Sequence, residues 1–193
     1  LDSKNLHVEI LQMVRLLKNG EEIKMSKRTG KVVTLNELVE EVGLDAARYF
    51  FISRSLDTQL DFDIDIATKH NNENPVYYIE YAYARISSIL RDYNNTIKPK
   101  EYKYLTSTYV LDLLNKMYEF EDVVKTSASR FMPHLITNYV YDLATLFHTF
   151  YAHEHVLTEI DDKTEEYINL IKAVSIIIKK SLELIGVQAY EKM

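Results

Sequence analysis

The feature that most constrains the fold is a set of apolar residues that recur at three- and four-residue spacing in the second half of the chain. One run follows Pro75 and contains Val76, Ile79, Tyr83, Ile86 and Leu90. A second follows Pro133 and contains Leu135, Tyr139, Leu143, Leu146 and Phe150, and a third ends at Gly186 and contains Ile168, Ile171, Val174, Ile178, Leu182 and Ile185. Apolar residues at this spacing lie on one side of an α-helix, and a proline can occupy its first turn. The pattern predicts a mainly α chain.

Four long helices are expected in this half, because only 4 glycines and 3 prolines interrupt the 193 residues. The first begins at Pro75, a polar connector covers 94–106, and a second helix runs over roughly 107–126. The third begins at Pro133, and the last lies between Asp161 and Gly186. Amphipathic helices with short connectors pack as a bundle, which is the fold predicted for this half.

The first third of the chain has different local signals. Asn19-Gly20 between two apolar-rich runs predicts a β-hairpin, since both residues tolerate the positive φ that a tight turn needs. Thr34 and Glu37 have the spacing of a helix capping box, and Gly43 is placed to end that helix. A short helix is predicted from Asp45 onward, followed by extended or loop-like chain over 56–66.

Composition excludes several classes of protein. There is no cysteine, so disulfide frameworks, thiolate zinc sites and thiol nucleophiles are excluded. No apolar run is long enough for a membrane span, and no secretory leader is visible, so we expect a cytoplasmic protein with no membrane partner. The net charge of -6 disfavours nonspecific coating of nucleic acid but permits reading of one structured RNA through a local surface. Because Leu1 is not a methionine, we expect an upstream part.

The segment with the most chemical information is Lys24-Met25-Ser26-Lys27-Arg28. One interpretation is a solvated basic loop at the end of the hairpin. The other is a phosphate-binding loop, because it follows a predicted strand and precedes a capped helix. Flexible lysines there could approach a triphosphate as point charges and stabilise the charge that develops as it reacts.

This segment resembles the KMSKS signature of class I aminoacyl-tRNA synthetases, and the likeness continues along the chain. The blocks at 24–34, 45–50, 61–65, 74–85 and 184–193 are similar, in sequence and in order, to those of bacterial arginyl-tRNA synthetases. Cysteinyl- and methionyl-tRNA synthetases share the loop and a helical C-terminal domain but match the later blocks poorly. The alternatives that stay open are another specificity, such as cysteine, and a noncatalytic helical module that binds RNA or protein.

The resemblance implies that the parent protein activates arginine with ATP and then transfers it to tRNA(Arg). Lys24 and Lys27 would be catalytic, and together with Met25 and Ser26 they would bind ATP, whose Mg²⁺ counterion would be held mainly elsewhere. The family's H-x-G-H signature is missing, so the nucleotide-binding sheet and arginine pocket are expected upstream and this chain alone is expected to be inactive. We assign 1–73 to the end of the catalytic domain and 74–193 to a helical anticodon-binding domain.

A candidate RNA-binding face lies on the helix after Pro75. Tyr78, Tyr81 and Arg85 fall within about 60° of one another on a helical projection, almost opposite the apolar stripe. They form either a second packing face or a stacking platform with a cation beside it. The resemblance favours binding of the anticodon and implies that Met193 lies near it. Three residues of the helix predicted after Pro133 could line the same groove or belong to the flank of the bundle: Tyr141, His148 and Tyr151.

No metal site is expected. Asp61, Asp63 and Asp65 resemble the start of a calcium loop, but its sixth and twelfth positions would be Ile66 and Asn72 instead of glycine and glutamate. His153 and His155 are two residues apart, which places them on different sides of a helix. Neither pattern supports metal ligation.

Overall fold

The computed structural model describes residues 8–23, 33–93 and 101–193. Its helices and strands, in chain order, are β1 (Val14–Lys18), β2 (Glu21–Glu22), α1 (Leu35–Val42), α2 (Leu44–Ile52), β3 (Leu60–Asp63), α3 (Ile64–Ala67), α4 (Pro75–Asp92), α5 (Thr108–Tyr118), α6 (Phe120–Arg130), α7 (His134–His153) and α8 (Asp161–Ile185). A small sheet with short helices thus precedes a bundle of longer helices. The predicted mainly α fold is confirmed.

The predicted hairpin is present. Strand β1 pairs with β2 in antiparallel fashion, and the turn residues Asn19 and Gly20 have φ values of 55° and 74°. On its other side β1 pairs in parallel with β3, so that Val14 faces Leu60, and the sheet order is β2-β1-β3. The 56–66 stretch, predicted as extended or loop-like, therefore provides the third strand and also the short helix α3, which was not predicted.

The three aspartates near β3 have separate structural partners. Asp61 forms a two-point ion pair with Arg15 on β1, with both N–O distances 2.7 Å. Asp63 caps α3 by accepting the Ile66 N–H at 3.0 Å. Asp65 accepts the backbone N–H of Asn19 in the hairpin turn at 2.5 Å. Asp61 thus joins the hairpin to β3, and Asp65 joins its turn to α3.

The first helix begins with the predicted capping box. The Glu37 N–H donates to the Thr34 hydroxyl, and the Thr34 N–H donates to the Glu37 carboxylate at 2.7 Å. Helix α1 ends at Gly43, whose φ of 85° lies in the region that glycine tolerates best. Helix α2 follows immediately, and its Ala46, Ala47 and Tyr49 are buried.

Helix α4 is organised as the apolar spacing predicted. Asn74 accepts the Val76 N–H at 3.0 Å, and Pro75 occupies the first turn, where its missing N–H costs nothing. Val76, Ile79 and Ile86 are at most 3% exposed. Helix α7 packs against α4, α5, α6 and α8, and α8 also contacts α2, α4 and α5. None of the described helices is long and apolar enough to cross a membrane.

One helix prediction was wrong. A single helix was expected over 107–126, but α5 ends at Tyr118 and α6 begins at Phe120. The Tyr139 hydroxyl of α7 donates a hydrogen bond to the Lys116 carbonyl at 2.9 Å, and the Glu119 N–H donates to the same carbonyl at 3.3 Å. The ring of Phe120 then lies 5.6 Å from that of Tyr139. A contact with α7 therefore helps to end α5 at this point. The spacing of the apolar residues in this stretch of sequence did not predict the interruption.

Candidate nucleic-acid interface

The structure brings Tyr78, Tyr81 and Arg85 together on the side of α4 that faces α7, with all three side chains partly exposed. The Arg85 guanidinium carbon lies 4.5 Å from the centre of the Tyr81 ring and 4.7 Å from that of Tyr151. Its Nη2 also donates a hydrogen bond to the Tyr81 hydroxyl. Attraction between the cation and the ring faces, together with this hydrogen bond, holds the guanidinium plane in one orientation. The described contacts of Arg85 are phenol groups rather than a buried carboxylate.

Helix α7 contributes the other side of this surface. The ring of His148 lies 4.4 Å from Tyr78 and 5.9 Å from Tyr81, and Tyr141 lies 5.6 Å from Tyr78. We call the set the α4–α7 aromatic cluster; its members are Tyr77, Tyr78, Tyr81, Arg85, Tyr141, His148 and Tyr151. Tyr141 and Tyr151 keep 38% and 37% of their surface exposed. The α7 residues therefore both flank the bundle and line one surface with the α4 residues.

His148 joins the two helices through its ring nitrogen. Nε2 lies 3.1 Å from the Tyr78 carbonyl, and since a carbonyl only accepts, this nitrogen carries the proton. Burial lowers the pKa of His148, the hydrogen bond to Tyr78 opposes that change, and the charge of Arg85 adds to the lowering. A neutral imidazole stacked among phenol rings is the favoured state at neutral pH.

Tyr77 belongs to the cluster and was missed by the sequence analysis. Its ring is stacked on that of Tyr81 at 6.1 Å with 9° between the planes, and it meets His70 edge-on at 5.8 Å. The available signal was the four-residue separation of Tyr77 and Tyr81, since such pairs are neighbours on a helix surface. Tyr77 extends the ring stack toward the beginning of α4.

Met193 does not lie within the cluster but on an adjoining cavity of about 790 Å³. This cavity is bounded by the α1–α2 junction, the 67–74 loop, the beginning of α4 and the segment after α8. Tyr77 lines it together with Met193, which is 54% exposed. The predicted group of four residues is therefore split between two adjoining surfaces, and Tyr77 lies on both.

The same cavity contains an acidic group that the sequence did not single out. Glu80 is only 8% exposed, and burial together with the charge of Asp45 raises its pKa from 4.5 to about 7. Lys69, His70 and Tyr190 also line this cavity. A glutamate between Ile79 and Tyr81 on a helix resembles an ordinary surface residue, so local sequence gave no sign of its burial.

The predicted ATP-binding residues Lys24, Met25, Ser26 and Lys27 lie outside the described residues. The described chain on either side has the expected form, with the hairpin before these residues and the capped helix α1 after them. Within 8–23, 33–93 and 101–193, no three or more histidine, aspartate or glutamate side chains gather as metal ligands would.

Sequence comparison finds relatives of both parts of the chain. Residues 79–193 match the DALR anticodon binding domain family, and residues 12–83 match the class I (M) tRNA synthetase family. The chain is 47% identical to an arginine–tRNA ligase of Staphylococcus carnosus over 197 residues, covering 100% of this chain and 36% of that protein. It is 49% identical to an arginine–tRNA ligase of Bacillus subtilis over 193 residues, covering 97% of this chain and 35% of that protein.

Structural comparison agrees. A crystal structure from Campylobacter jejuni, described as that of an arginyl tRNA synthetase, superposes with a TM-score of 0.84 at 32% identity and covers 100% of this chain and 42% of that one. The chain spans about a third of the length of the curated relatives it matches. Since the match to the DALR anticodon binding domain covers more than half of the chain, the chain belongs to that family, and the relatives that it matches along its length are arginyl-tRNA synthetases.

Proposed function

We propose that this chain is the C-terminal part of a cytoplasmic arginine–tRNA ligase, in which it supplies the KMSK loop and binds the anticodon loop of tRNA(Arg). The observation that carries the proposal is the α4–α7 aromatic cluster, a partly exposed stack of rings with a guanidinium held between two of them. The rest of the parent protein supplies the nucleotide-binding sheet and the arginine pocket. This chain alone does not charge tRNA.

The cluster suits RNA that presents unstacked bases. Bases of single-stranded loops stack on aromatic rings and on guanidinium planes, and each such contact contributes about 1–3 kcal/mol. Tyr141 and Tyr151 are each more than a third exposed, so their rings are open to a base. With a net charge of -6, attraction of phosphates by the whole chain is weak, and local stacking has to supply the affinity.

Lys24 and Lys27 act on ATP in this proposal. As the arginine carboxylate attacks the α-phosphorus, the bond to pyrophosphate breaks, and the two ammonium groups stabilise the charge on the transition state and the leaving group. Met25 and Ser26 lie between the lysines and belong with them to the ATP-binding set, and Ser26 helps to shape the loop. ATP brings Mg²⁺, which is held mainly by the upstream half of the parent protein.

The proposed division into domains places residues 1–73 with the catalytic domain and 74–193 with the anticodon-binding domain. Support comes from α4, because Asn74 caps it and Pro75 occupies its first turn, so a new helical unit begins here. The DALR match begins five residues later, at residue 79.

The anticodon-binding proposal is tested by Tyr78→Ala, Tyr81→Ala and Arg85→Ala in the full-length protein. Tyr118→Ala is the matched control, because Tyr118 is 87% exposed on α5 and has no part in the cluster. Loss of one stacking ring is expected to weaken tRNA(Arg) binding by about 1–3 kcal/mol. Thermal melting is measured on the same samples. Full tRNA affinity in both tyrosine variants, or losses that only follow stability, would make the cluster a packing surface and overturn the proposal.

The role of the loop is tested by Lys24→Ala and Lys27→Ala with Lys18→Ala as control, since Lys18 lies on the hairpin and pairs with Glu41. Arginine-dependent pyrophosphate exchange in the full-length protein, with tRNA added where it is required, should fall far more than tRNA binding does. Exchange at the control's rate in both loop variants would remove these lysines from the mechanism. Arginine charging by the purified 193-residue chain would contradict the proposed division of labour.

A further inference from the structure

The segment after α8 is tied to a helix more than 130 residues earlier in the chain. Helix α8 ends at Gly186, which adopts the left-handed conformation with φ 70°. A side chain at Gly186 would collide with the guanidinium of Arg48 on α2, whose Nε donates to the Ile185 carbonyl at 3.2 Å. Arg48 thus satisfies a carbonyl of the last turn of α8 and places a positive charge at the negative end of the helix dipole.

Asp45, one turn before Arg48 on α2, holds the next part of the same segment. Its Oδ1 accepts the Gln188 N–H at 3.0 Å, and its Oδ2 accepts the Tyr190 hydroxyl at 2.9 Å. The Tyr190 hydroxyl also has a raised pKa, caused first by this hydrogen bond, so it stays protonated and able to donate. Hydrogen bonds to a charged acceptor are stronger than neutral ones, and both oxygens of this carboxylate are used.

Beyond these contacts the segment runs along the cavity that it shares with the start of α4. Gln188, Tyr190 and Met193 line that cavity, and so does Tyr77, whose ring is stacked on Tyr81 of the aromatic cluster. The position of Met193 relative to the cluster therefore depends on where the 186–193 segment is held. Asp45 supplies two of the hydrogen bonds that hold it.

We propose that Asp45 is a positioning residue for tRNA binding: by fixing Gln188 and Tyr190, its carboxylate places Met193 beside the aromatic cluster without touching RNA itself. This inference rests on the proposed anticodon-binding function. In this proposal an acidic residue increases affinity for a polyanion indirectly. The carboxylate accepts hydrogen bonds from two donors of the 186–193 segment. It therefore acts on the RNA through the position of that segment rather than through its own charge.

The test uses Asp45→Ala, Met193→Ala and the double variant in the full-length protein. The control is Asp161→Ala. Like Asp45→Ala, it removes a carboxylate from the first turn of a helix, so it reproduces any loss of helix stability that comes from the helix dipole. The dissociation constant is measured for tRNA(Arg) and for the same tRNA with a substituted anticodon loop. Asp45→Ala is expected to weaken binding of tRNA(Arg) about tenfold, the change that one lost charged hydrogen bond produces, and to reduce the discrimination between the two tRNAs.

The double variant distinguishes positioning from a general effect on stability. Because Asp45 acts through Met193, the double variant should bind no more weakly than the weaker of the two single variants. Asp45→Asn should restore part of the affinity, since its amide still accepts the Gln188 N–H. Losses that multiply in the double variant, or that fall equally on both tRNAs, would overturn the inference.

The two proposals fail in different ways. If Met193→Ala and Tyr81→Ala weaken tRNA binding and Asp45→Ala does not, the positioning role is wrong and the anticodon-binding function stands. If none of the three weakens binding, the proposed function itself is wrong. Hydrogen exchange at the Gln188 amide, which should accelerate in Asp45→Ala and not in Asp161→Ala, reports the contact independently of tRNA.

Discussion

The bundle core and the layer around α4 are both rich in aromatic side chains, yet water reaches them very differently. On α7, Phe147 and Phe150 are completely buried, and Phe150 packs edge-on against Tyr167 of α8 at 5.5 Å. On the α4 side of the same helix, Tyr141 and Tyr151 remain more than a third exposed. One helix therefore provides both a closed apolar core and an open aromatic surface. We call the bundle core the closed region, and we call the α4–α7 aromatic cluster together with the cavity at the start of α4 the open layer.

The difference in closure changes what the aromatic rings can do. A fully buried ring contributes its whole transfer free energy to folding and has no free face for a ligand. A half-buried ring contributes less to stability but can stack with a base. The layer around α4 also contains Glu80 and His148, and burial shifts the pKa of each toward its uncharged form.

The largest expected effect is in the closed region. Phe150→Ala should lower the free energy of unfolding by about 3–5 kcal/mol, since it removes a fully buried ring and leaves a cavity. Urea unfolding measures this as a lower midpoint with an unchanged slope. The tRNA affinity of the molecules that remain folded should not change. A loss below about 1 kcal/mol would mean that the core is looser than its burial indicates.

The closed region was also the easier one to predict from sequence. The spacing of Ile79, Ile86 and Phe150 reflects local helical geometry, and the Asn19-Gly20 turn needs only the φ preferences of its own two residues. The open layer depends on contacts between distant parts of the chain. Tyr78, Tyr81 and Arg85 were predicted to share a face, but the spacing could not tell whether α7 would cover it.

Features that depend on distant contacts, in either region, had no local signal at all. Tyr190 lies 145 residues from Asp45, and the Tyr139 hydroxyl that helps to end α5 lies 23 residues from its acceptor on Lys116. Glu80 likewise lines a cavity together with residues of α2 and of the 186–193 segment, which are distant in sequence. Such features arise from tertiary packing, and one sequence does not encode them in any short pattern.

The second largest effect is expected at Glu80. Its pKa is raised from 4.5 to about 7, so the folded state binds a proton more tightly than the unfolded state does. The stabilisation is complete below pH 4.5 and is lost as the pH rises through 7, when a charge forms beside Asp45. Glu80→Gln should remove this loss and be more stable than wild type by roughly 1–3 kcal/mol above pH 8.

Urea unfolding of both proteins between pH 5 and 9 measures the difference. The wild type and the variant share the other titratable groups that line the cavity, so the difference between their stability curves isolates Glu80. These groups are Glu41, Asp45, Lys69, His70, Tyr77 and Tyr190. Parallel stability curves across this range would indicate that Glu80 is solvated and ionised like a surface residue.

A smaller effect is expected at Tyr151, whose ring covers one side of the Arg85 guanidinium. Tyr151→Ala should lower stability by no more than about 1 kcal/mol, because Arg85 keeps its contact with Tyr81 and more than a third of the Tyr151 surface is already exposed to water. Tyr151→Phe keeps the ring face and should match wild type. Thermal unfolding compares the three proteins. A cost as large as that of Phe150→Ala would remove the distinction between the open and closed regions.

The smallest effect should appear at His148, and its sign is opposite to that of Glu80. Burial lowers the pKa of His148 below 6.5, so the unfolded state binds the proton more tightly than the folded state does. The contribution to stability is present above pH 6.5 and is lost as the pH falls toward the lower folded pKa. His148→Gln keeps a donor for the Tyr78 carbonyl and removes the titration, so its stability should depend less on pH between 5 and 7. An NMR titration of the His148 ring checks the cause directly. If the ring titrates at or above 6.5 in the folded protein, the α4–α7 interface is hydrated and the open layer is more open than the structure indicates.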